Sequence, residues 1–283
     1  MPPQHPKIET MIEEFLRDGY TIARGVFSPD EVDVIREAFM AANKNGPVEG
    51  LSETSRRRVD GTVGAYDISD PLQFYPRMMH PHRHPEKDVG RLARAYMLDS
   101  RLKPILERCI GEEPVAVQSM FYFKPPGARG QALHQDNYYL RVKPGTCCAA
   151  WIAIDDADAE NGGMMCVPNT QAYAIQCPEL ADPSKFFSTE YVQPPAGLEP
   201  RMLNLKAGDV LFFNGNVIHG SYPNGSRDRF RRSLICHYVP LGTKEMSHWY
   251  REPIRFDGTE VDYELNADGG PCGTLDERVQ APH

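Results

Sequence analysis

The sequence predicts a mainly β protein with flanking helices, arranged as a sandwich or a jelly roll. Helical patterns come first, many short strand-like segments follow, and Gly, Pro, Asn and Asp punctuate those segments. The 283 residues, 41% of them hydrophobic, are enough for one large domain or two small ones. We expect a single domain over 1–283, with a helical part at about 1–112, a jelly-roll core at about 113–241 and a tail over 242–283.

The N-terminal part contains the clearest helix signals. Ile8–Asp18 has its apolar residues on one side, which predicts a short amphipathic helix, and Tyr20–Phe27 has the composition of a strand. Ser28 then supplies an N-cap, followed by Pro and by Glu31 at the third helical position. These signals predict a helix that runs to about Asn43.

The middle of the chain changes from helices to strands. Residues 44–85 show no sustained periodicity and predict a long loop of functional importance. Residues 88–110 predict two helical segments, split near Asp99 and stopped by Gly111. The predicted strands are Val115–Lys124, Cys147–Ile154, Met164–Val167, Met202–Leu205, Val210–Phe213, Val217–Ser221 and Arg232–Pro240. Asn161-Gly162-Gly163 and Gly208-Asp209 predict hairpins between the strands beside them, and the polar tail is expected to cover the mouth of the barrel.

Composition narrows the class of protein. A formal net charge of −8 argues against a sequence-independent nucleic-acid binder, and we interpret the basic run Arg56–Arg58 as a solvated face. No apolar stretch of membrane-spanning length and no secretory signal is visible, so a cytoplasmic protein with no membrane partner is expected. Seven cysteines without a CxxC motif predict reduced thiols, with Cys147 and Cys148 as small buried hydrophobes.

The candidate catalytic residues are the pair in the sequence His134-Gln135-Asp136 and, far downstream, His219. Two imidazoles and one carboxylate are the ligand set of a facial iron(II) site, which leaves positions open for substrate and oxygen. Residues i and i+2 of an extended segment point the same way, so His134 and Asp136 can hold one ion together. Arg231 would supply a forked cation for a carboxylate-bearing cosubstrate.

Five sequence segments together resemble the phytanoyl-CoA dioxygenase family. They are QSMFYFKPPG, HQDNYY, AWIAIDDADAENGGMMCVPNT, AGDVLFFNGNVIHGS and RFRRSLICHY, and the resemblance runs from about Asp18 to Pro240. It implies a double-stranded β-helix, a jelly-roll variant, and an enzyme that uses Fe(II), 2-oxoglutarate and O2. It also implies that His134, Asp136 and His219 are the iron ligands.

The resemblance further implies how the cosubstrate is held. Arg231 matches the arginine that pairs with the far (C5) carboxylate of 2-oxoglutarate, although the spacing from His219 leaves Arg229 and Arg232 as competitors. The remaining candidate contacts to the cosubstrate are Ser221, Thr170, Gln131, Gln118, Trp151 and Ser233. For each of these, an ordinary polar or packing role is the alternative.

Other histidines compete less well for the metal. His237 is the rival third ligand, but its place beyond Arg231 in the last strand favours a packed or supporting role. The cluster His80, His82 and His84 has interrupting prolines and no carboxylate between its members, so we interpret it as a loop with incidental histidines.

The predicted function is oxidation, most simply hydroxylation, of an unactivated C–H bond in a medium-sized organic substrate, with release of succinate and CO2. Asp136 occupies the place that a small residue takes in halogenating relatives, which favours oxidation over halogenation. Two alternatives stay open: a jelly-roll protein that binds metal or ligand without turnover, and a zinc hydrolase. A hydrolase would need a nearby carboxylate base and has no use for Arg231.

Overall fold

Two antiparallel sheets form the centre of the molecule in the computed structural model, which describes residues 8–54, 56–57, 63–64, 70–266 and 272. The helices are α1 (Ile8–Asp18), α2 (Pro29–Ala42), α3 (Pro71–Phe74), α4 (Asp88–Met97), α5 (Lys103–Ile110) and α6 (Asn137–Leu140). The strands are β1 (Tyr20–Ala23), β2 (Arg56–Arg57), β3 (Val63–Gly64), β4 (Met78–Met79), β5 (Pro114–Tyr122), β6 (Gln131–His134), β7 (Cys148–Ala153), β8 (Met164–Cys166), β9 (Glu179–Leu180), β10 (Glu190–Tyr191), β11 (Arg201–Met202), β12 (Val210–Asn214), β13 (His219–Ser221), β14 (Ser233–Pro240), β15 (Glu245–Ser247), β16 (Ile254–Arg255) and β17 (Glu264–Asn266).

The strand order is that of a jelly roll. The larger sheet runs β1-β12-β7-β14-β5-β16, with β4 also paired to β5, and the smaller sheet runs β11-β8-β13-β6. Neighbours in both sheets are antiparallel. The predicted fold class, mainly β with flanking helices on a double-stranded β-helix, is confirmed.

Side chains point alternately to the two faces of a strand, and in this protein the two faces belong to two separate apolar layers. On β7, Cys148, Ala150 and Ile152 belong to a cluster shared with the helices, whereas Ala149, Trp151 and Ala153 face the space between the sheets. Phe39 of α2 stacks on Phe121 of β5 with ring centroids 3.9 Å apart, which anchors the helical layer to the larger sheet. The inner layer surrounds the site described below.

The predicted helix ends are confirmed. Ser28 Oγ accepts from the Glu31 backbone N–H at 3.3 Å, and Glu31 Oε2 accepts from the Ser28 N–H at 2.7 Å, which completes a capping box at the start of α2. Gly111 ends α5 with φ of +81°, in the left-handed region that glycine tolerates best.

Both predicted hairpins are wrong. The strand before Asn161-Gly162-Gly163, β7, lies in the larger sheet, whereas the strand after it, β8, lies in the smaller sheet. In the same way, β11 and β12 flank Gly208-Asp209 but belong to opposite sheets. Turn residues indicate that the chain changes direction. They do not indicate whether the next strand joins the same sheet or, as at both of these turns, the opposite sheet.

The cysteine prediction needs one correction. Cys177 and Cys272 form a disulfide with their Cα atoms 5.4 Å apart, so not all of the thiols are free. The two residues are 95 positions apart in the chain, and no local spacing pattern predicts such a pair. Cys147 and Cys148 are free and buried, as predicted.

The structure also bears on the membrane-spanning segments considered in the sequence and on the 44–85 loop. Within the described residues, no helix combines the length and apolar character that crossing a membrane requires. The side chains of Arg56–Arg58 and part of the 44–85 loop lie outside what the structure describes.

Candidate metal centre and adjoining pocket

His134 and His219 face each other across two neighbouring strands of the smaller sheet. They are register partners in the β6–β13 ladder, and their ring centroids lie 4.3 Å apart. Asp136 lies two residues after the end of β6, and its Oδ1 lies 3.3 Å from His134 Nε2 and 3.4 Å from His219 Nε2. In the part of the chain that the structure describes, this trio is the one group of His, Cys, Asp or Glu side chains arranged to hold a metal ion.

Backbone carbonyls fix both imidazole rings. His134 Nδ1 lies 2.8 Å from the Ala132 carbonyl oxygen, and His219 Nδ1 lies 2.9 Å from that of Val217. Each Nδ1 donates its proton to a carbonyl two residues earlier, so each Nε2 presents its lone pair toward Asp136. The repeated geometry therefore orients two nitrogen ligands toward one point.

The carboxylate has a different support. Asp136 Oδ2 accepts a hydrogen bond from His237 Nε2 at 2.8 Å, which leaves Oδ1 between the two facing imidazoles. His237 lies on β14 of the larger sheet, so the opposite sheet holds the acidic ligand in place. This contact agrees with the supporting role that the sequence favours for His237.

Electrostatics act differently on the three side chains of the trio. Burial by itself raises the pKa of Asp136, but its interactions with the neighbouring imidazoles of His219, His237 and His134 lower it well below its usual value. Burial, together with His219, lowers the pKa of His134, which favours its neutral form. Burial acts in the same direction on His219, but Asp136 raises the pKa of that imidazole above its usual value. An ionised carboxylate and a neutral imidazole are the forms that bind a metal cation.

A cavity adjoins the trio and lies between the two sheets. Its walls are formed by Met120, Tyr122, Gln131, His134, Asp136, Trp151, Met164, His219, Gly220, Ser221, Arg231, Ile235 and His237. Both sheets contribute, because β5, β7 and β14 face β6, β8 and β13 across it. Metal-binding side chains and a buried arginine thus line the same pocket.

Arg231 is the cation of this cavity. It is 3% exposed, donates from Nε to the Gly162 carbonyl at 3.0 Å and from Nη1 to Ser233 Oγ at 2.9 Å. Its guanidinium carbon lies 5.3 Å from the centre of the Trp151 ring. Burial lowers the pKa of Arg231 to about 10, and in the described residues it forms no ion pair with a carboxylate. Its remaining N–H groups are therefore available to an anion.

The two competing arginines, Arg229 and Arg232, form ion pairs outside the cavity. Arg229 pairs with Asp158 at 2.7 Å and with Glu160 at 3.1 Å on the surface. Arg232 donates two side-chain hydrogen bonds to the Asp155 carboxylate, at 2.7 and 2.9 Å. Neither of them lines the cavity. The geometry therefore separates Arg231 from its two neighbours, which spacing alone leaves equivalent.

Four of the remaining candidates lie in or beside the cavity. Ser221, Gln131 and Trp151 line it, and Gln131 Nε2 lies 3.1 Å from His134 Nε2. Ser233 lies behind the wall and accepts from Arg231. Its contribution to the cavity is thus to hold the arginine.

Thr170 and Gln118 are not among the residues that line the cavity. Thr170 Oγ1 donates to the Val167 carbonyl at 2.7 Å and accepts from the Ile218 N–H at 2.9 Å, which fastens a loop to the residue before His219. Gln118 is fully buried on β5, opposite His237 in the ladder. Both candidates support the strands around the site without reaching the cavity.

The histidine cluster of the long loop lies apart from the metal-binding trio. His82 is buried with Nδ1 2.6 Å from Ser119 Oγ, and His84 Nδ1 lies 3.2 Å from Glu86 Oε1. None of His80, His82 and His84 belongs to a metal-binding group in the described residues.

Lys124 is a functional candidate that sequence reasoning missed. It is 2% exposed, and its Nζ donates to Ser221 Oγ at 2.8 Å, directly behind the cavity wall. The signal was present in the two-residue period of the strand, because Met120 and Tyr122 line the cavity and Lys124 continues the series.

A family model describes most of this chain. The model "Phytanoyl-CoA dioxygenase (PhyH)" matches residues 15–233. Among curated proteins, phytanoyl-CoA dioxygenase 1 of Oryza sativa subsp. japonica is 22% identical over 278 residues, which cover 90% of this chain and 97% of that protein.

Solved structures share the fold. The epimerase SnoN, in complex with Fe3+, alpha ketoglutarate and nogalamycin RO, has a TM-score of 0.65 at 18% identity and covers 94% of this chain and 97% of its own. EvdO2 from Micromonospora carbonacea var. aurantiaca, complexed with 2-oxoglutarate, has a TM-score of 0.60 at 21% identity and covers 94% and 96%. At these identities the likeness establishes the architecture.

Proposed function

Because the chain belongs to the phytanoyl-CoA dioxygenase family of Fe(II)- and 2-oxoglutarate-dependent oxygenases, we propose that it couples the oxidation of 2-oxoglutarate to the hydroxylation of an unactivated C–H bond in a small organic molecule. The enzyme class is that of the family, an oxidoreductase of the dioxygenase type. The reaction consumes O2 and 2-oxoglutarate. It releases succinate and CO2, and one oxygen atom enters the substrate as an alcohol.

His134, Asp136 and His219 would hold the iron. The fit rests on the donor set: two Nε2 lone pairs converge on one carboxylate oxygen, and the three ligand atoms lie within 4.8 Å of one another. Iron(II) bound there supplies the activation of dioxygen. The protein's own part is to hold the ligands on one side and to offer a pocket lined by both sheets on the other side.

Arg231 would bind the far carboxylate of 2-oxoglutarate. Its guanidinium presents N–H groups in a plane that matches a carboxylate, and Ser233, Gly162 and Trp151 fix that plane. Ser221 adds a hydroxyl on the same wall. The metal-binding trio and the arginine line the same cavity, and a dicarboxylate bound there would meet both.

The single observation that carries this function is the joint lining of the cavity. The trio and a buried arginine without an acidic partner in the described residues share one space. A protein that only binds metal, or a hydrolase that activates water, gains nothing from such an arginine. An enzyme that uses a dicarboxylate cosubstrate needs it.

The test is a substrate screen in which succinate is the readout. Purified enzyme is incubated with Fe(II), 2-oxoglutarate and candidate small molecules, and succinate and substrate-derived product are quantified together. We expect succinate and product to form in equal amounts. A product heavier by one oxygen atom supports hydroxylation, whereas an unchanged mass or the loss of two hydrogens shows that the same site performs an epimerisation or a ring closure instead.

Two matched variants complete the screen. Asp136→Ala removes the acidic ligand, and Glu160→Gln removes an exposed carboxylate that lies outside the cavity. Succinate formation should disappear in the first variant and persist in the second. Substrate oxidation that continues unchanged when 2-oxoglutarate is omitted would overturn the proposal.

A further inference from the structure

The ring of Tyr139 packs against the imidazole of His134. The two ring centroids lie 6.2 Å apart and the ring planes make an angle of 63°, which is an edge-on contact. Tyr139 is 2% exposed and belongs to the single turn α6, where its N–H donates to the Asp136 carbonyl at 2.9 Å. The backbone of one residue of the trio therefore places a side chain against the ring of another.

The hydroxyl of Tyr139 is tied to a buried carboxylate, that of Glu190. It donates to Glu190 Oε2 at 3.0 Å, and the Thr189 hydroxyl donates to Glu190 Oε1 at 2.5 Å. Glu190 is 5% exposed, and burial of a carboxyl group is costly unless such donors accompany it. The carboxylate and the tyrosine ring therefore restrain each other.

The segment 188–190 also fastens the backbone beneath His134. Ser188 Oγ accepts from the Ala132 N–H at 3.0 Å, and the carbonyl of Ala132 is the group that lies 2.8 Å from His134 Nδ1. Glu190 follows two residues later on β10, which lies outside both central sheets. One short segment therefore reaches the histidine by two routes, through the backbone and through the tyrosine ring.

The two histidines of the trio are supported differently. The ring centroid of Phe213, a fully buried residue of β12, lies 4.4 Å from that of His219. Phe213 is held by the apolar packing between the sheets. Tyr139, in contrast, lies in one short turn, and a single hydrogen bond joins its hydroxyl to Glu190. A change at Glu190 should therefore act on His134 and leave the other histidine in place.

We propose that Glu190 is a positioning residue that, through the Tyr139 hydroxyl, holds the His134 imidazole in the orientation in which Nε2 faces the metal site. The inference rests on the proposed function for the presence of the metal, and it gives the insertion between β8 and β11 a part in that function. Glu190 is not among the residues that line the cavity or form the trio, so its effect reaches the metal through the tyrosine ring.

The test is proton NMR of the Co(II)-loaded protein, without turnover. Co(II) accepts the same nitrogen and oxygen donors as iron(II), and its unpaired electrons move the Nδ1–H signal of each bound imidazole away from the other signals of the protein. The His219 signal is recognised by its contact with the Phe213 ring. The variants are Tyr139→Phe, Glu190→Met and Glu190→Gln.

Loss of the hydrogen bond should disturb one histidine and spare the other. In Tyr139→Phe and Glu190→Met, the His134 Nδ1–H signal should shift and exchange faster with solvent. The His219 signal should not move, and the Kd for Co(II) should rise about tenfold. Glu190→Gln retains an acceptor for the Tyr139 hydroxyl, so it should keep the wild-type His134 signal.

A tyrosine far from the trio provides the control. Tyr96 lies on α4, and its hydroxyl donates to the Glu31 carbonyl at 3.0 Å. Tyr96→Phe should leave both histidine signals and the Co(II) affinity at their wild-type values. If Glu190→Met lowers the melting temperature, Tyr139→Phe decides, because it keeps the aromatic ring and removes only the hydroxyl.

Three outcomes overturn the inference: an unchanged His134 signal in Tyr139→Phe, an equal disturbance of the His134 and His219 signals, or a disturbance in Glu190→Gln as large as that in Glu190→Met. Failure of the proposed function looks different. In that case the wild-type protein itself would show no shifted imidazole signals when Co(II) is present.

Discussion

His237 Nε2 donates a hydrogen bond to Asp136 Oδ2 over 2.8 Å, from one sheet to the other. The residue that looked like a rival ligand in the sequence thus holds the acidic ligand. Its loss would free the carboxylate to rotate and would remove one of the charges that keep Asp136 ionised. Metal-binding proteins commonly depend on such supporting contacts as much as on the ligands.

Replacement of His237 should therefore weaken metal binding without abolishing it. We expect His237→Phe to raise the Kd for Fe(II) or Mn(II) about tenfold to hundredfold. His237→Gln, which can still donate to Asp136, should recover part of the loss. Anaerobic metal titration measures both variants, and His84→Gln serves as a control on an incidental histidine. Equal affinity in His237→Phe and the wild type would show that the contact is dispensable.

Changes at Arg231 should act on the cosubstrate. Arg231→Gln removes a buried charge that faces an anion, so the Kd for 2-oxoglutarate should rise about a hundredfold. Arg231→Lys keeps the charge but loses the planar pair of donors, and about a tenfold rise is expected. Arg229→Gln is the matched control, because that arginine is paired on the surface. A larger effect at Arg229 than at Arg231 would reverse the assignment.

Metal removal distinguishes an iron oxygenase from a zinc hydrolase. Treatment with EDTA followed by desalting should abolish succinate formation, and Fe(II) should restore it. Zn(II) occupies the same nitrogen and oxygen donors but has no redox chemistry, so it should inhibit the enzyme. Restoration of activity by Zn(II) would contradict the oxygenase assignment.

The capping box of α2 should stabilise the helical layer. Ser28→Ala leaves a helix N–H without its side-chain acceptor and should lower the free energy of unfolding by about 1 kcal/mol, measured by urea denaturation. Glu31→Gln retains a capping partner for Ser28 but loses the charged contact with Arg101.

The same helix start predicts a pH dependence. Hydrogen bonds from Arg101, then from Ser28, lower the pKa of Glu31 to about 2. A lowered pKa in the folded state means that the stabilisation is present above the unfolded value of about 4.3 and is lost as the pH falls toward about 2. The stability difference between wild type and Glu31→Gln should shrink over that window. A difference that grows with acidification would refute this origin.

The disulfide is testable by peptide mapping. Alkylation of the unfolded, unreduced protein should label Cys109, Cys147, Cys148, Cys166 and Cys236, and Cys177 should remain linked to Cys272. Cys272→Ser should make Cys177 available to the reagent. Labelling of Cys177 in the wild-type protein would show that the pair is reduced under the conditions of purification.

Local chemistry explains what the sequence could predict. The capping box and the glycine stop at Gly111 depend on neighbouring residues, and the structure has both in the expected form. His134 and Asp136 do come together, but Asp136 has a helical backbone after β6 and does not belong to an extended segment. The choice among Arg229, Arg231 and Arg232 depends on which side chains meet an acidic partner, and Asp155, Asp158 and Glu160 lie far away in sequence. That information exists only in the folded chain.

The two hairpin predictions were wrong for the same reason, because the deciding contacts join residues that are distant in the sequence. A turn signal such as Asn161-Gly162-Gly163 is local, whereas the partner of a strand is set by the packing of two sheets. The role of this turn became visible only when its glycine was found beside Lys124 and Arg231. Lys124 shows the converse case, because the two-residue period that begins with Met120 and Tyr122 continues to it.

The order of strands in the larger sheet has a consequence for how the protein is made. β1 at residues 20–23 pairs with β12 at residues 210–213, and β12 pairs with β7. During synthesis, the first strand has no hydrogen-bonding partner until residue 213 of 283, about three quarters of the chain, has left the ribosome. Folding therefore starts late and relies on distant contacts, which favours slow folding and leaves the nascent N-terminal segment dependent on protection from aggregation.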